Sequence, residues 1–272
     1  MHAASREALE VALQRVNEII DGSANPIPVA AQTGTELFEV VDFLDADRGL
    51  RVAAADSSAT AEQRSGLVRT VFEGKVSPEA LTAVADAAAQ VWSNPREMRA
   101  GLVRMGRHAL LRSAAAQGQL PQVEEELFRL GRTLDAQPQL VQLLTDKNST
   151  SAAKRDLLAK VLYGKVTAVT EALALQAVGR PDKNPVDDLA SLAELAAGQN
   201  DRTVARVIAA TALTDAQEQT LREKLNRIYG REMSIQTEVD PSLLGGLVIR
   251  VGDEIIDGSL ANKFAQLRRD LA

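Results

Sequence analysis

Two stretches of the chain resemble each other when they are aligned 90 residues apart. They are ELFEVVDFLDADRGLRVAAADSSATAEQRSGLVRTVFEGKV (36–76) and ELFRLGRTLDAQPQLVQLLTDKNSTSAAKRDLLAKVLYGKV (126–166). They share 14 identical residues over 41 positions without a gap, and Asn94-Pro95 pairs with Asn184-Pro185 at the same offset. We interpret this as a duplicated unit of roughly 90 residues. The register fails upstream of about residue 35, where residues 22–28 predict a loop without a counterpart.

Each copy is predicted to be helical. Apolar residues recur every three or four positions, as in an amphipathic helix: Leu9, Leu13, Val16 and Ile20; Leu37, Val41 and Leu44; Val123, Leu127, Leu130 and Leu134. Thr60-x-x-Gln63 is a capping box, and Ser77-Pro78 and Asn94-Pro95 place a capping residue before a first-turn proline. Between Arg96 and Gln117 no turn signal intervenes, so we expect the last helix of the first copy to continue into the second.

The pattern changes after about residue 202. Residues 204–208 form a short run rich in β-branched side chains, and residues 233–239 alternate apolar with polar side chains. Residues 246–251 form a denser apolar run. Each of these stretches is a predicted strand. A helix capped by Thr214 is expected between the first two strands, and an amphipathic helix with Leu260, Phe264, Leu267 and Leu271 closes the chain. The predicted order is β-α-β-β-β-α, a small α/β domain with a mixed sheet.

The composition excludes several classes of function. The 272 residues include no cysteine and two histidines, His2 and His108, so disulfides, thiolate sites and a zinc site built from several histidines are excluded. Chemistry from carboxylates alone remains formally possible. The net charge is −6, divided as −5, +1 and −2 among residues 1–105, 106–213 and 214–272. No segment is strongly basic, which argues against a nucleic-acid partner, and neither a signal peptide nor a membrane span is expected.

Two Gly-Lys pairs, Gly74-Lys75 and Gly164-Lys165, are reminiscent of half a phosphate-binding loop. The required upstream glycine is missing, and valine follows each lysine where serine or threonine would coordinate magnesium. A glycine that ends a helix, followed by a lysine near the free carbonyl groups, is the preferred interpretation of both pairs.

Other candidate residues also have an ordinary structural explanation. Asp253, Glu254 and Asp257 could hold a cation, but we interpret them as solvated turn residues. His108 is interpreted as a surface or boundary residue, and Trp92 as a packing residue rather than a partner contact. The run Glu124 to Glu126 is predicted to place negative charge in the first turn of a helix.

One segment resembles a known family: VDPSLLGGLVIRVGDEIIDGSL (239–260). Its Val-Asp-Pro, the Gly-Gly before a strand, Gly-Asp, and Asp-Gly-Ser before a final helix are similar to the C-terminal signature of the delta subunit of F-type ATP synthase, the oligomycin-sensitivity-conferring protein family. Residues 207–214 also look like the family's strand that leads into a helix. The resemblance covers roughly 107–272, and residues 1 to about 104 are an additional helical copy.

The resemblance implies a fold and a function without catalysis. The fold is mainly α with a small α/β part: two tandem helical bundles over 1–104 and 105–201, then a C-terminal α/β domain over 202–272. Family members hold the N-terminal segments of the alpha subunits with the bundle and the b-type peripheral stalk with the C-terminal part. The chain is thereby expected at the cytoplasmic face of the cell membrane, as a stator component in ATP synthesis and hydrogen ion transport.

No catalytic, cofactor-binding or metal-binding residue is predicted, and no direct membrane span. The second copy is the natural candidate for the alpha-subunit contact, whereas the role of the first copy is left open. A free-standing helical adaptor that carries the same α/β module is the alternative, and an enzyme that uses carboxylates is a more remote one.

Overall fold

A computed structural model describes residues 1–146, 148–199, 203–229, 233–243, 245–251 and 254–260. Over these residues the protein is mainly α-helical with a small C-terminal mixed sheet, which confirms the predicted fold class. The helices are α1 (Ala3–Asp21), α2 (Pro26–Ala46), α3 (Arg48–Ala54), α4 (Ala61–Phe72), α5 (Pro78–Ala89), α6 (Pro95–Ala116), α7 (Leu120–Asp135), α8 (Pro138–Thr145), α9 (Ser151–Leu162), α10 (Ala168–Gly179), α11 (Pro185–Gln199) and α12 (Asp215–Tyr229). The strands are β1 (Thr203–Ala209), β2 (Met233–Val239), β3 (Leu247–Val251) and β4 (Glu254–Asp257), with a 3-10 helix at Pro241–Leu243.

The helices repeat at the offset that the sequence shows. Helices α4 and α9 begin and end 90 residues apart, as do α5 and α10, and α6 and α11 begin 90 residues apart. The caps repeat as well, because Thr60 accepts a hydrogen bond from the backbone N–H of Gln63 and Thr150 accepts one from that of Ala153. The duplicated sequence therefore encodes a duplicated set of helices.

Helix α6 joins the two copies as one continuous element of 22 residues, as expected from the lack of a turn signal. Its N-cap is Asn94, whose side chain accepts a hydrogen bond from the N–H of Glu97 at 2.9 Å. The helix ends before Gly118, which has a φ of +68°. Glycine adopts this left-handed conformation at little cost, which suits the turn into α7.

The described chain forms two compact units. The first comprises residues 1–120 and 146–181, and its core is built largely from α1, α2, α5 and α6. Helices α2 and α6 approach closely at Gly34 and Gly106, where a Cβ on either residue would lie within 2.9 Å of the other's carbonyl oxygen. These glycines are necessary for the spacing of the two helices because any larger side chain would meet backbone.

A buried arginine in the first unit holds the end of α5. Arg64 is only 4% exposed and donates hydrogen bonds to the carbonyl oxygens of Ala88, Ala89 and Gln90. The last carbonyl groups of a helix lack partners within the helix, and a guanidinium can bind several of them at once. Lys154 occupies the equivalent position of the second copy.

The second unit comprises residues 121–145 and 182–272. Its sheet has the order β2-β1-β3-β4, with β1 and β2 parallel and the other neighbours antiparallel. Helix α12 connects the two parallel strands, and a core of seven buried residues forms between the helix and the sheet: Ala205, Val207, Leu225, Met233, Ile235, Ile249 and Val251. The predicted mixed sheet and its order of elements are confirmed up to β4.

Some predictions fall outside this description. The predicted closing helix has Phe264, Leu267 and Leu271 outside the described residues. The three domain boundaries stay predictions. No helix in the described part of the chain is long and apolar enough to cross a membrane.

Candidate interaction surfaces

The two Gly-Lys pairs end helices. Gly74 and Gly164 have φ values of +73° and +68°, and each follows the end of its helix by two residues. The backbone N–H of Lys75 donates to the carbonyl oxygen of Phe72 at 3.0 Å, and Lys165 does the same to Leu162 at 2.9 Å. The Lys75 ammonium also lies 5.3 Å from the centre of the Phe43 ring. This geometry is that of a helix C-terminus, as the sequence predicts.

Trp92 and His108 occupy the positions that the sequence predicts. Trp92 is 3% exposed and its indole N–H donates to the carbonyl oxygen of Ala87 at 2.8 Å. His108 is half-buried and its Nε2 lies 2.7 Å from Oδ1 of Asn17. Burial, with the nearby Arg112 guanidinium, lowers the pKa of His108. Both side chains join helices of the first unit.

The carboxylate candidates have structural partners. Glu254 accepts a hydrogen bond from the Tyr229 hydroxyl at 2.8 Å. Asp257 accepts one from the N–H of Ser259 at 2.9 Å, and bonding from Ser259 lowers the pKa of Asp257. Asp253 lies outside the described residues. Among the residues that are described, no group of three His, Asp or Glu side chains could hold a metal ion.

The prediction for Glu124 to Glu126 is wrong. Helix α7 begins at Leu120, so its first turn carries no acidic residue and the three glutamates follow in the second turn. Glu124 is only 3% exposed. The helix begins earlier than the glutamates indicate, because Pro121 is tolerated within the first turn of a helix.

An ion-pair network joins α2 to helices of the second copy within the first unit. The carboxylate of Asp42 on α2 forms ion pairs with Nη2 of Arg180, in a short contact, and with Nη1 of Arg155 at 3.2 Å. Asp45, one turn further along α2, receives Nη2 of Arg99 at 2.7 Å and lies 3.8 Å from Nε of Arg180. Two carboxylates on one helix face therefore collect several guanidinium groups.

A groove runs beside this network. Its volume is about 440 Å³. Two helices line it with stripes of the same i, i+3, i+4, i+7 spacing: Thr35, Phe38, Glu39 and Asp42 on α2; Ala168, Glu171, Ala172 and Leu175 on α10. Arg155, Gln176 and Arg180 complete the lining. We call this surface the α2–α10 groove.

The helix face that carries Asp42 in the first copy carries the opposite charge in the second copy. Arg132 on α7 lies 90 residues after Asp42, and its Nη1 donates to Glu238 on β2 at 2.7 Å. Asp42 binds arginines of the second helical copy, whereas Arg132 binds the sheet. In each copy, this helix face therefore contacts the part of the chain that follows it in sequence. Its charge is opposite to the charge of the side chains that it contacts.

A second groove lies at one end of the sheet in the second unit. Its volume is about 650 Å³, and it is lined by one face of α12 and by residues near β1 and β3: Ala209, Ala210, Thr211, Leu213, Ala216, Gln217, Thr220, Leu221, Lys224, Gly245, Gly246 and Leu247. Most of these side chains are small or apolar, which suits contact with an apolar helix face. We call this surface the α12 groove.

The Gly-Gly pair of the C-terminal signature borders the α12 groove and allows two backbone segments to approach. Gly246 has a φ of +80°, and a Cβ there would lie 2.3 Å from the carbonyl oxygen of Gly258. Two hydrogen bonds close this contact, from Gly258 N–H to Leu247 O at 2.8 Å and from Leu260 N–H to Gly245 O at 2.9 Å. Glycine is required at position 246 because the φ is positive and because the carbonyl oxygen of Gly258 leaves no room for a Cβ.

Sequence reasoning did not find Arg155 and Arg180. The charge reversal between Asp42 and Arg132 at the repeat offset was a visible signal, since an otherwise similar helix face changed sign. The arginines that answer Asp42 carry no such signal, because they come from distant parts of the chain.

Comparison with known proteins agrees with the signature. The family model of the ATP synthase delta (OSCP) subunit matches residues 108–271. ATP synthase subunit delta of Corynebacterium efficiens is 61% identical over 272 residues, covering 100% of this chain and 99% of that protein. The protein of the same name from Corynebacterium diphtheriae is 59% identical over 273 residues, with both chains fully covered. The relatives thus include the additional first copy.

The fold and these matches define the class of protein: a helical subunit with a small mixed sheet, related to components of ATP synthases. The chain belongs to the ATP synthase delta (OSCP) subunit family. A chain in the solved structure of the Toxoplasma gondii mitochondrial ATP synthase hexamer is also similar, at 18% identity and a TM-score of 0.37, with 61% of this chain and 94% of that chain covered. That likeness is too low to support an argument about fold.

Proposed function

We propose that this protein is a non-catalytic peripheral-stalk subunit of a proton-translocating F-type ATP synthase. It ties the catalytic head to the b-type stalk, so that the torque of rotation drives ATP synthesis instead of turning the head. The observation that carries the proposal is the match to proteins named ATP synthase subunit delta over their whole length. The subunit acts at the cytoplasmic face of the membrane through the complex.

The division of contacts follows from the two kinds of surface. A groove between helices suits an amphipathic helix of the head, and the second helical copy is assigned to the N-terminal segments of the alpha subunits. The α12 groove, with its small and apolar lining, is assigned to the end of the b-type stalk. Two moderate contacts on one chain reinforce each other through high effective concentration.

Reconstitution with purified components tests the proposal. The full-length chain is immobilised and presented with the head (alpha and beta subunits) and, separately, with the b-type subunit. Binding of both is expected. Gly246→Val distorts the border of the α12 groove and is expected to weaken stalk binding while leaving head binding unchanged. Loss of head binding with stalk binding retained would reverse the assignment of the two surfaces.

A free-standing adaptor remains the alternative function. It predicts that neither the head nor the b-type subunit binds, and that the chain does not copurify with the complex from solubilised membranes. An enzyme would show turnover by the isolated chain. Neither Gly-Lys pair has the frame of a phosphate-binding loop, so the chain is expected neither to hydrolyse ATP nor to bind it tightly. Micromolar binding of ATP in calorimetry would contradict this prediction.

A further inference from the structure

The α2–α10 groove contains a buried cation with unused hydrogen-bond donors. The side chain of Arg180 is 4% exposed. Its Nη2 donates to the carbonyl oxygen of Phe38 at 2.7 Å and to Asp42. Its Nε and Nη1 have no hydrogen-bond partner. A buried polar group without a partner costs free energy, so these N–H groups favour an acceptor that binds in the groove.

The charges already present do not supply that acceptor. Asp42 is shared between Arg180 and Arg155, and Asp45 is held by Arg99 and is 3.8 Å from Nε of Arg180. Burial lowers the pKa of Arg180, and the neighbouring Arg155 and Arg99 act in the same direction while Asp42 opposes them. An additional carboxylate would stabilise this cluster of guanidinium groups.

The position is specific to the second copy. Gln90 lies at the equivalent place in the first copy, where Arg64 binds the end of α5 from a different position. A structural role shared by both copies therefore does not account for Arg180.

The shape of the groove indicates what carries the carboxylate. The stripes on α2 and α10 each span eight residues, or about 11 Å along a helix. Phe38, Ala172 and Leu175 provide an apolar lining, and Glu39 and Glu171 add negative charge beside the arginines. A third helix fits between two helices when its apolar face meets such a lining.

We propose that the α2–α10 groove binds an amphipathic helical segment of the catalytic head through one acidic side chain, which is received by Arg180. Basic side chains that flank the acidic residue face Glu39 and Glu171. This inference rests on the proposed function and deepens it, because it extends the head contact assigned to the second copy to a groove that α2 of the first copy also lines.

The test measures the dissociation constant of the full-length chain for the head stripped of this subunit. Arg180→Met replaces the cation with an unbranched apolar side chain. It is expected to weaken binding about tenfold or more. Ala172→Trp blocks the groove while Arg180 and its bonds stay in place, and a similar loss is expected. Thr82→Trp, at the equivalent position of α5 in the first copy, is the matched control and is expected to bind within about twofold of wild type.

The outcomes separate the inference from the proposed function. If the wild-type chain binds the head and Ala172→Trp binds equally well, the groove is not the contact, although the proposed function stands. Weaker binding by Thr82→Trp alone would place the contact on the first copy and overturn the inference. If the wild-type chain fails to bind the head, the proposed function itself is wrong. Circular dichroism confirms that each variant is folded.

Discussion

Gly246→Val provides a demanding test of the contact between β3 and the segment that follows β4. Valine at a φ of +80° carries a backbone strain of about 1–3 kcal/mol. Its Cβ would also lie 2.3 Å from the carbonyl oxygen of Gly258, so one of the two backbone segments must move. That movement breaks the hydrogen bonds from Gly258 to Leu247 and from Leu260 to Gly245, worth about 0.5–1.5 kcal/mol each.

The expected destabilisation of the sheet is therefore about 2–6 kcal/mol, which corresponds to an increase of about thirtyfold or more in amide exchange at its middle. Hydrogen exchange followed by mass spectrometry on β1 and β3 measures it. Trp92 fluorescence serves as an internal reference, because this residue is buried in the other unit and its unfolding transition is expected to stay unchanged.

Gly164→Val separates the two causes. Gly164 has a similar φ of +68°, but a Cβ there meets nothing within 4 Å. This variant is expected to show only the backbone strain of about 1–3 kcal/mol, at the end of α9. Wild-type exchange rates in β1 and β3 of Gly246→Val would refute the reasoning, because the backbone would then accommodate the side chain without cost.

Three further predictions concern the first unit. Gly106→Val is expected to lower the free energy of unfolding by about 1–3 kcal/mol, measured by Trp92 fluorescence in urea, because a Cβ would lie 2.6 Å from the Phe38 ring; an unchanged midpoint would refute it. Arg64→Met is expected to cost about 3 kcal/mol or more in the same assay, since it leaves buried carbonyl groups unpaired, whereas Lys154→Met should have little effect. The Ser5 hydroxyl and the His2 backbone and imidazole lower the pKa of Glu97 to about 2. Because this folded-state pKa lies below the unfolded value of about 4.5, the stability difference between wild type and Glu97→Gln should be complete above pH 4.5 and decline towards pH 2; a difference independent of pH would contradict it.

Much of the fold was predictable because its signals are local. The capping residues Thr60 and Asn94 and the alternation in residues 233–239 each act within a few residues of the chain, and the 90-residue repeat presents such local signals twice. The C-terminal signature likewise indicated the family by its resemblance, and its Gly246 marks a backbone position that tolerates no side chain. The misplaced start of α7 shows the limit of such signals, since a proline and a run of glutamates were compatible with two different helix starts.

The interaction surfaces could be predicted only in part. The sequence by itself determined that two similar sets of helices precede a small mixed sheet, because periodicity and caps select helices and strands locally. Only the tertiary structure decided that Arg155 and Arg180 meet Asp42, that α2 and α6 approach at Gly34 and Gly106, and that α2 and α10 enclose a groove. These contacts join residues that are 70 or more positions apart in the chain, so their partners are chosen by the packing of whole helices, and no local pattern encodes that packing.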